Sequence, residues 1–103
     1  MNFGASCRPP SYIRAINLNN TTGNTVKVLV HFQSGTSETY EIAANGSVKV
    51  EKEINHGSYS SVDPVLRAHI EEANALLAFD PVGVQILTYN ITDENGAVSF
   101  SQI

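Results

Sequence analysis

The chain contains no tryptophan and a single cysteine, Cys7, among its 103 residues. One thiol excludes an intramolecular disulfide and any zinc site that needs several thiolates. Small secreted domains commonly depend on disulfide staples, so their absence points towards a reducing compartment. Charge is also sparse: Asp, Glu, Lys and Arg make up 16% of the chain, and the formal net charge is −4. A nucleic-acid binder concentrates Lys and Arg to displace counterions from phosphates. Here the six cations are scattered, and Lys49 and Lys52 are interleaved with Glu51 and Glu53. Nucleic acid and anionic membrane surfaces are therefore not expected partners. No apolar run nears the ~20 residues that span a bilayer, so membrane insertion is not expected either. The first ten residues lack the apolar stretch of a signal peptide, which makes a cytoplasmic location the expectation.

What remains is typical of a small globular unit. Apolar residues supply 42% of the composition, enough for a core, and the length suits one domain. Arg8-Pro9-Pro10 resists both helix and central strand, so residues 1–10 are expected to form a flexible tail preceding a single β-rich domain over 11–103. Tyr12 to Leu18 reads as a strand with Ile13 and Ala15 on one face and Tyr12, Arg14, Ile16 and Leu18 on the other. Val26, Val28, Val30 and Phe32 alternate with Lys27, Leu29, His31 and Gln33, the period of a strand with one face in the core. Tyr40 and Ile42 continue this alternation on a return strand. Asn45-Gly46 is a strong hairpin signal, and Val48, Val50 and Ile54 alternate beyond it. These three segments are expected to form an antiparallel meander. Tyr59-Ser60-Ser61-Val62 suits a short strand or an irregular edge.

Residues 63–79 carry a different pattern. Asp63-Pro64 resembles an N-cap followed by proline at the first helical position, and Leu66, Ile70, Ala73 and Leu77 share one helical face. This predicts one helix at about 64–78, with a strand over 65–71 followed by a loop or turn as the alternative. Val82 to Ile91 is apolar on both faces, as for an interior strand. Thr92 to Gly96 then forms a hairpin loop, with Val98 and Phe100 inward on the last strand. The expected fold is mainly β: an antiparallel β-sandwich or partly closed barrel of six to seven strands.

No segment carries a reaction motif. A Gly-x-Ser-x-Gly elbow, a phosphate-binding glycine loop and a local metal-ligand spacing are all missing. His31, His56 and His69 converge only if the fold brings them together, so no metal and no cofactor are expected. Asp93-Glu94-Asn95-Gly96 offers oxygen ligands, yet a hairpin turn selects the same residues for backbone reasons. Cys7 beside Arg8 has thiolate-favouring surroundings, or is a passive tail residue. Asn19, Asn20, Asn45 and Asn90 each begin an Asn-x-Ser/Thr triplet at an expected turn or strand end.

One constellation stands out: His56, Tyr59, Ser60, Ser61 and Asp63 lie in one connection, and Tyr and Ser are residue types that adaptable binding loops favour. The plainer reading is an ordinary Ser-rich crossover. The function expected is a non-catalytic binding or structural module acting through protein–protein contacts or self-association. A lectin-like carbohydrate-binding module is the alternative, although the absence of tryptophan removes the commonest sugar-stacking surface. A small enzyme or metal protein assembled from distant residues is the second alternative.

Overall fold

The computed structural model describes residues 10–103. The expected tail over 1–10, and Cys7 with it, therefore falls almost wholly outside the described residues. The strands are β1 (Tyr12–Asn20), β2 (Val26–Phe32), β3 (Ser37–Ile42), β4 (Ser47–Glu51), β5 (Glu53–Asn55), β6 (Ser60–Val62), β7 (Val65–Ile70), β8 (Ala75–Ala78), β9 (Val84–Glu94) and β10 (Ala97–Gln102). Eight of them form one mixed sheet in the order β10-β9-β1-β7-β2-β3, with β4 added to β1 and β8 added to β7. β5 and β6 form a separate two-stranded ribbon. The fold is mainly β, as the alternating patterns imply. It has more strands than the six or seven expected, and the sheet is not closed into a barrel. Nor is it purely antiparallel, because β1 runs parallel to β9.

The inward residues are those that the strand period selects. Val26, Val28, Val30 and Phe32 are all buried, while Lys27 faces solvent. They share one core with Ile16, Leu18, Val50 and Ile91 from β1, β4 and β9, and with Ala68, Ile70 and Leu77 from β7 and β8. In β1, the register with β9 shifts between Ile13 and Ala15. This irregularity resets the alternation, so Ile13, Ile16 and Leu18 all reach the core.

The helix expected at about 64–78 is absent. β7 and β8 pair antiparallel through a single 3-10 turn at Glu71–Ala73. The register of β7 on β2 slips opposite His31 and Phe32, so Val65 and Ala68 both point inward while Leu66 and Arg67 are exposed. A bulge of this kind leaves buried residues three apart, which is a helical spacing. Asn74 closes the turn at φ 52°, ψ 29°, a left-handed conformation that asparagine tolerates and that a helix through this position forbids.

The meander is also corrected. β2 and β3 pair as expected, but β4 pairs with β1 instead of β3. The Asn45-Gly46 signal makes a tight turn, closed by the Gly46 N–H donating to the Ala43 carbonyl at 2.8 Å, that redirects the chain without forming a hairpin. The expected continuous strand from Val48 to Ile54 is interrupted at Lys52. β9 lies between β10 and β1, the interior position its apolar faces imply. The β9–β10 hairpin turns at Asn95 and Gly96, at φ 55° and 87°. Both residues suit the positive-φ pair that a two-residue loop of this kind requires.

Candidate functional site

Four of the five candidate residues lie on the β5–β6 ribbon. Asn55 pairs with Ser60, and the His56 N–H donates to the Tyr59 carbonyl at 2.8 Å, leaving Gly57 and Ser58 as the tip. Gly57 sits at φ 97°, where a side chain is strained. This matches a two-residue hairpin loop with glycine at its first central position. The Asn55 side chain secures the tip by accepting from the Gly57 N–H at 2.8 Å.

At this tip the His56 and Tyr59 rings stack, with centroids 4.7 Å apart and planes at 18°. His56 Nε2 and Ser61 Oγ are 2.7 Å apart. His56, Tyr59 and Ser61 are thus brought together into one surface cluster. Ser60 is exposed, and strand alternation directs it to the opposite face of the ribbon from Ser61. Tyr59 is 63% exposed despite the stack, one of the most accessible large apolar side chains among the described residues.

Asp63 does not belong to this cluster. It is only 1% exposed and ties the base of the ribbon to the β2–β3 turn. Its carboxylate accepts from the Ser34 N–H at 3.0 Å and from Ser34 Oγ at 2.6 Å. Lys52 Nζ lies 3.8 Å from it and donates to Thr36 Oγ1 at 2.6 Å, with the ammonium 5.0 Å from the Phe32 ring centre. A buried carboxylate is tolerated only with such partners. The expected N-cap is therefore a cap of another kind, satisfying a turn distant in sequence.

A shallow apolar groove runs from this base along the end of the sheet. One part, of about 390 Å³, is lined in part by Tyr12, Ile54, Val62 and Pro64. An adjoining part, of about 280 Å³, adds Leu66, Phe79 and Pro81 and shares Tyr12 and Pro64. Tyr59 and this groove lie at the two ends of one short ribbon.

Chemically, a histidine nitrogen 2.7 Å from a serine oxygen is the separation at which a base activates a hydroxyl. Among the described residues, however, no carboxylate hydrogen-bonds to His56 to orient its ring. The pair also lies on an exposed ribbon, where water is not excluded. No group of three His, Cys, Asp or Glu side chains is clustered into a metal cage among the described residues. The cluster offers an aromatic surface with adaptable hydrogen bonds, which suits binding.

Elsewhere, β1, β4 and β9 share a cluster of uncharged polar side chains, bordered on β4 by Lys49 and Glu51. Asn17 donates to Thr88 Oγ1 at 3.4 Å, Asn19 to Asn90 Oδ1 at 3.3 Å, and Ser47 to Asn19 Oδ1 at 2.8 Å. The Asn20 triplet is different. Asn20 is 1% exposed, and its amide donates to the carbonyls of Asn24, Ile42 and Ala43 at 2.8, 2.9 and 3.2 Å. Its carbonyl accepts from the Thr22 N–H and hydroxyl at 3.0 and 2.7 Å. Asn20 is a buried structural hub, so its amide is not accessible for modification despite its Asn-x-Thr triplet. Local sequence gave a partial signal, since Asn followed two residues later by Thr favours side-chain-to-backbone turns. Its reach to Ile42 and Ala43 was not legible.

No known protein family matches the sequence, and no curated protein matches it. Among solved structures, the chain is similar to the NMR structure of a protein from Eubacterium rectale, with a TM-score of 0.53 and 18% sequence identity over 85% of each chain. At that identity the likeness concerns the fold alone. No helix among the described residues is long and apolar enough to cross a membrane.

Proposed function

We propose that this chain is a non-catalytic β-sandwich binding module whose β5–β6 ribbon docks on a protein partner. On this reading the two halves of the mixed sheet act as the layers of the sandwich, and the ribbon projects from one end. The observation that carries the reading is Tyr59: a large ring held by stacking on His56 yet 63% exposed. Tyrosine gives extensive contact at low entropic cost, and interface hot spots are rich in it. The neighbouring groove at Tyr12, Val62 and Pro64 would accept apolar side chains from the same partner.

Selection of a displayed random peptide library on the immobilised protein tests this. Enriched peptides should bind the wild type with micromolar affinity, and Tyr59→Ala should weaken them at least tenfold without lowering Tm. Failure to enrich any Tyr59-dependent peptide would overturn the proposal.

The lectin-like reading draws support from the Asn17, Asn19, Thr88 and Asn90 face. Those groups use much of their hydrogen-bonding capacity on one another, which leaves less for a sugar. Screening the protein against immobilised glycans separates the readings, because sugar binding on that face would survive Tyr59→Ala.

A further inference from the structure

Among the described residues, β3, β4, β8 and β10 each pair with a single neighbour in the mixed sheet. Native sheets guard such edges with charge, proline, bulges or brevity. β3 carries Glu38 and Glu41, β4 carries Lys49 and Glu51, and β8 is only 4 residues long. β10, Ala-Val-Ser-Phe-Ser-Gln, has none of these guards. It holds no charge and no proline, and its register on β9 is unbroken from Ala97 to Gln102.

The hairpin fixes where its backbone groups point. Residues flanking a two-residue loop, here Glu94 and Ala97, exchange hydrogen bonds, and the pattern repeats at every second position. Ala97, Ser99 and Ser101 therefore direct their N–H and C=O groups to β9. The Ile103 N–H continues the series, donating to the Thr88 carbonyl at 3.1 Å. Val98, Phe100 and Gln102 direct theirs away from β9, where no strand among the described residues pairs with them.

We propose that β10 is a self-association edge, on which a second copy of this chain lays its own β10 antiparallel across a two-fold axis at Phe100. This surface is separate from the Tyr59 ribbon. The register sets Val98 opposite the partner's Gln102 and Phe100 opposite the partner's Phe100, so every outward N–H and C=O of these residues gains a counterpart. Centring the axis on Ser99 would instead set Gln102 against a Gly96 whose N–H already donates to Asp93 Oδ1 at 2.8 Å. Alternation then places Ser99 beside the partner's Ser101 on one face, and the half-buried Phe100 beside its counterpart on the other.

Charge favours this occupant and this orientation. Two copies with a formal net charge of −4 repel, yet β10 brings no charge to the seam. The nearest acids, Asp93 and Glu94, lie at the turn end, and antiparallel pairing sends the two turns to opposite ends. β8, which lies beside β10, is Ala-Leu-Leu-Ala and adds no charge. One short strand from each copy buries less than the roughly 1,200–2,000 Å² of stable interfaces. The dimer is therefore weak and depends on concentration.

Sedimentation velocity of the full chain up to millimolar concentration tests the edge, in a Cys7→Ser background that removes the free thiol. The expected result is a monomer–dimer equilibrium. Gln102→Pro removes an outward N–H and spares the β9 ladder, so it should weaken dimerisation at least tenfold. Ser99→Lys should do the same by setting like charges diagonally across the seam, without lowering the monomer's Tm. Oxidising a mixture of Ser99→Cys and Ser101→Cys chains should give disulfide dimers faster than either variant alone. Directly opposed residues at such a non-hydrogen-bonded position have Cα atoms about 4.5 Å apart, within disulfide reach. Should Gln102→Pro loosen β10, the cross-linking comparison still decides the register. A chain that stays monomeric at millimolar concentration, a dimer indifferent to both Gln102→Pro and Ser99→Lys, or mixed chains that cross-link no faster than single variants would each overturn the proposal. The first outcome would leave this edge to a strand from another protein.

Discussion

Single polar side chains in this protein carry tasks that polarity alone does not reveal. Asn20 joins the end of β1 to the Asn24 turn and to the segment after β3. Removing its amide leaves carbonyls of Ile42 and Ala43 without that donor in a buried place. Asn20→Ala is therefore expected to cost at least about 2 kcal/mol, read as a lowered midpoint in urea unfolding. His31 links stability to pH. Desolvation, then the nearby Arg67 and His69 charges, hold its pKa below the usual 6.5, with Glu71 pulling the other way. The folded state thus binds the proton less readily than the unfolded state. The contribution is fully present above about pH 6.5, where both states are neutral, and is lost as pH falls through that value towards the folded pKa. His31→Gln should flatten this part of the stability–pH curve, measured by urea titrations between pH 5 and 8.

Individual strands were legible in the sequence to the degree that their alternation is regular. β2 is regular, and the inward placement of Val26, Val28, Val30 and Phe32 follows from its period alone. β1 and β7 each contain a register slip, and there the period misleads. In β1 it assigned Ile13 and Ile16 to opposite faces. Between β7 and β8 it imitated a helix, because the spacing of Leu66, Ile70, Ala73 and Leu77 satisfies a helical face; the structure buries Ile70 and Leu77 but exposes Leu66 and turns Val65 and Ala68 inward. The decisive residue is Asn74, whose left-handed backbone makes the turn. Asn74→Ala should lose about 1 kcal/mol or more and Asn74→Gly should be near neutral, measured by chemical denaturation. A helix would give the reverse order, since glycine costs more than alanine within one. Of the candidate site, the sequence showed only a connection rich in Tyr and Ser; the β5–β6 hairpin was not read from it, because two three-residue strands leave too little alternation to detect. Nor was the burial of Asp63, since its partners, Ser34 and Lys52, come from other elements. The adjacency of His31 and His69 was likewise hidden, because strand register is a property of pairs.

At the scale of the whole molecule, β1 is the organising strand: it pairs with β4, β7 and β9, and its β9 ladder joins segments such as Asn17 and Thr88. Ordering so long an intervening chain precedes any gain from that ladder, so refolding should be slow for this size, in milliseconds to seconds by stopped-flow fluorescence. Tyrosine emission serves as the probe. Phe32→Ala, at the centre of the core, should cost about 3–5 kcal/mol at equilibrium. The parallel pairing of β1 with β9 also bears on synthesis by the ribosome. Tyr12–Asn20 leaves the exit tunnel well before Val84–Glu94 is made, yet one of its edges has no other parallel partner to wait with. Until those last strands are made, that edge presents a row of unpaired backbone N–H and C=O groups, a template on which another chain could pair.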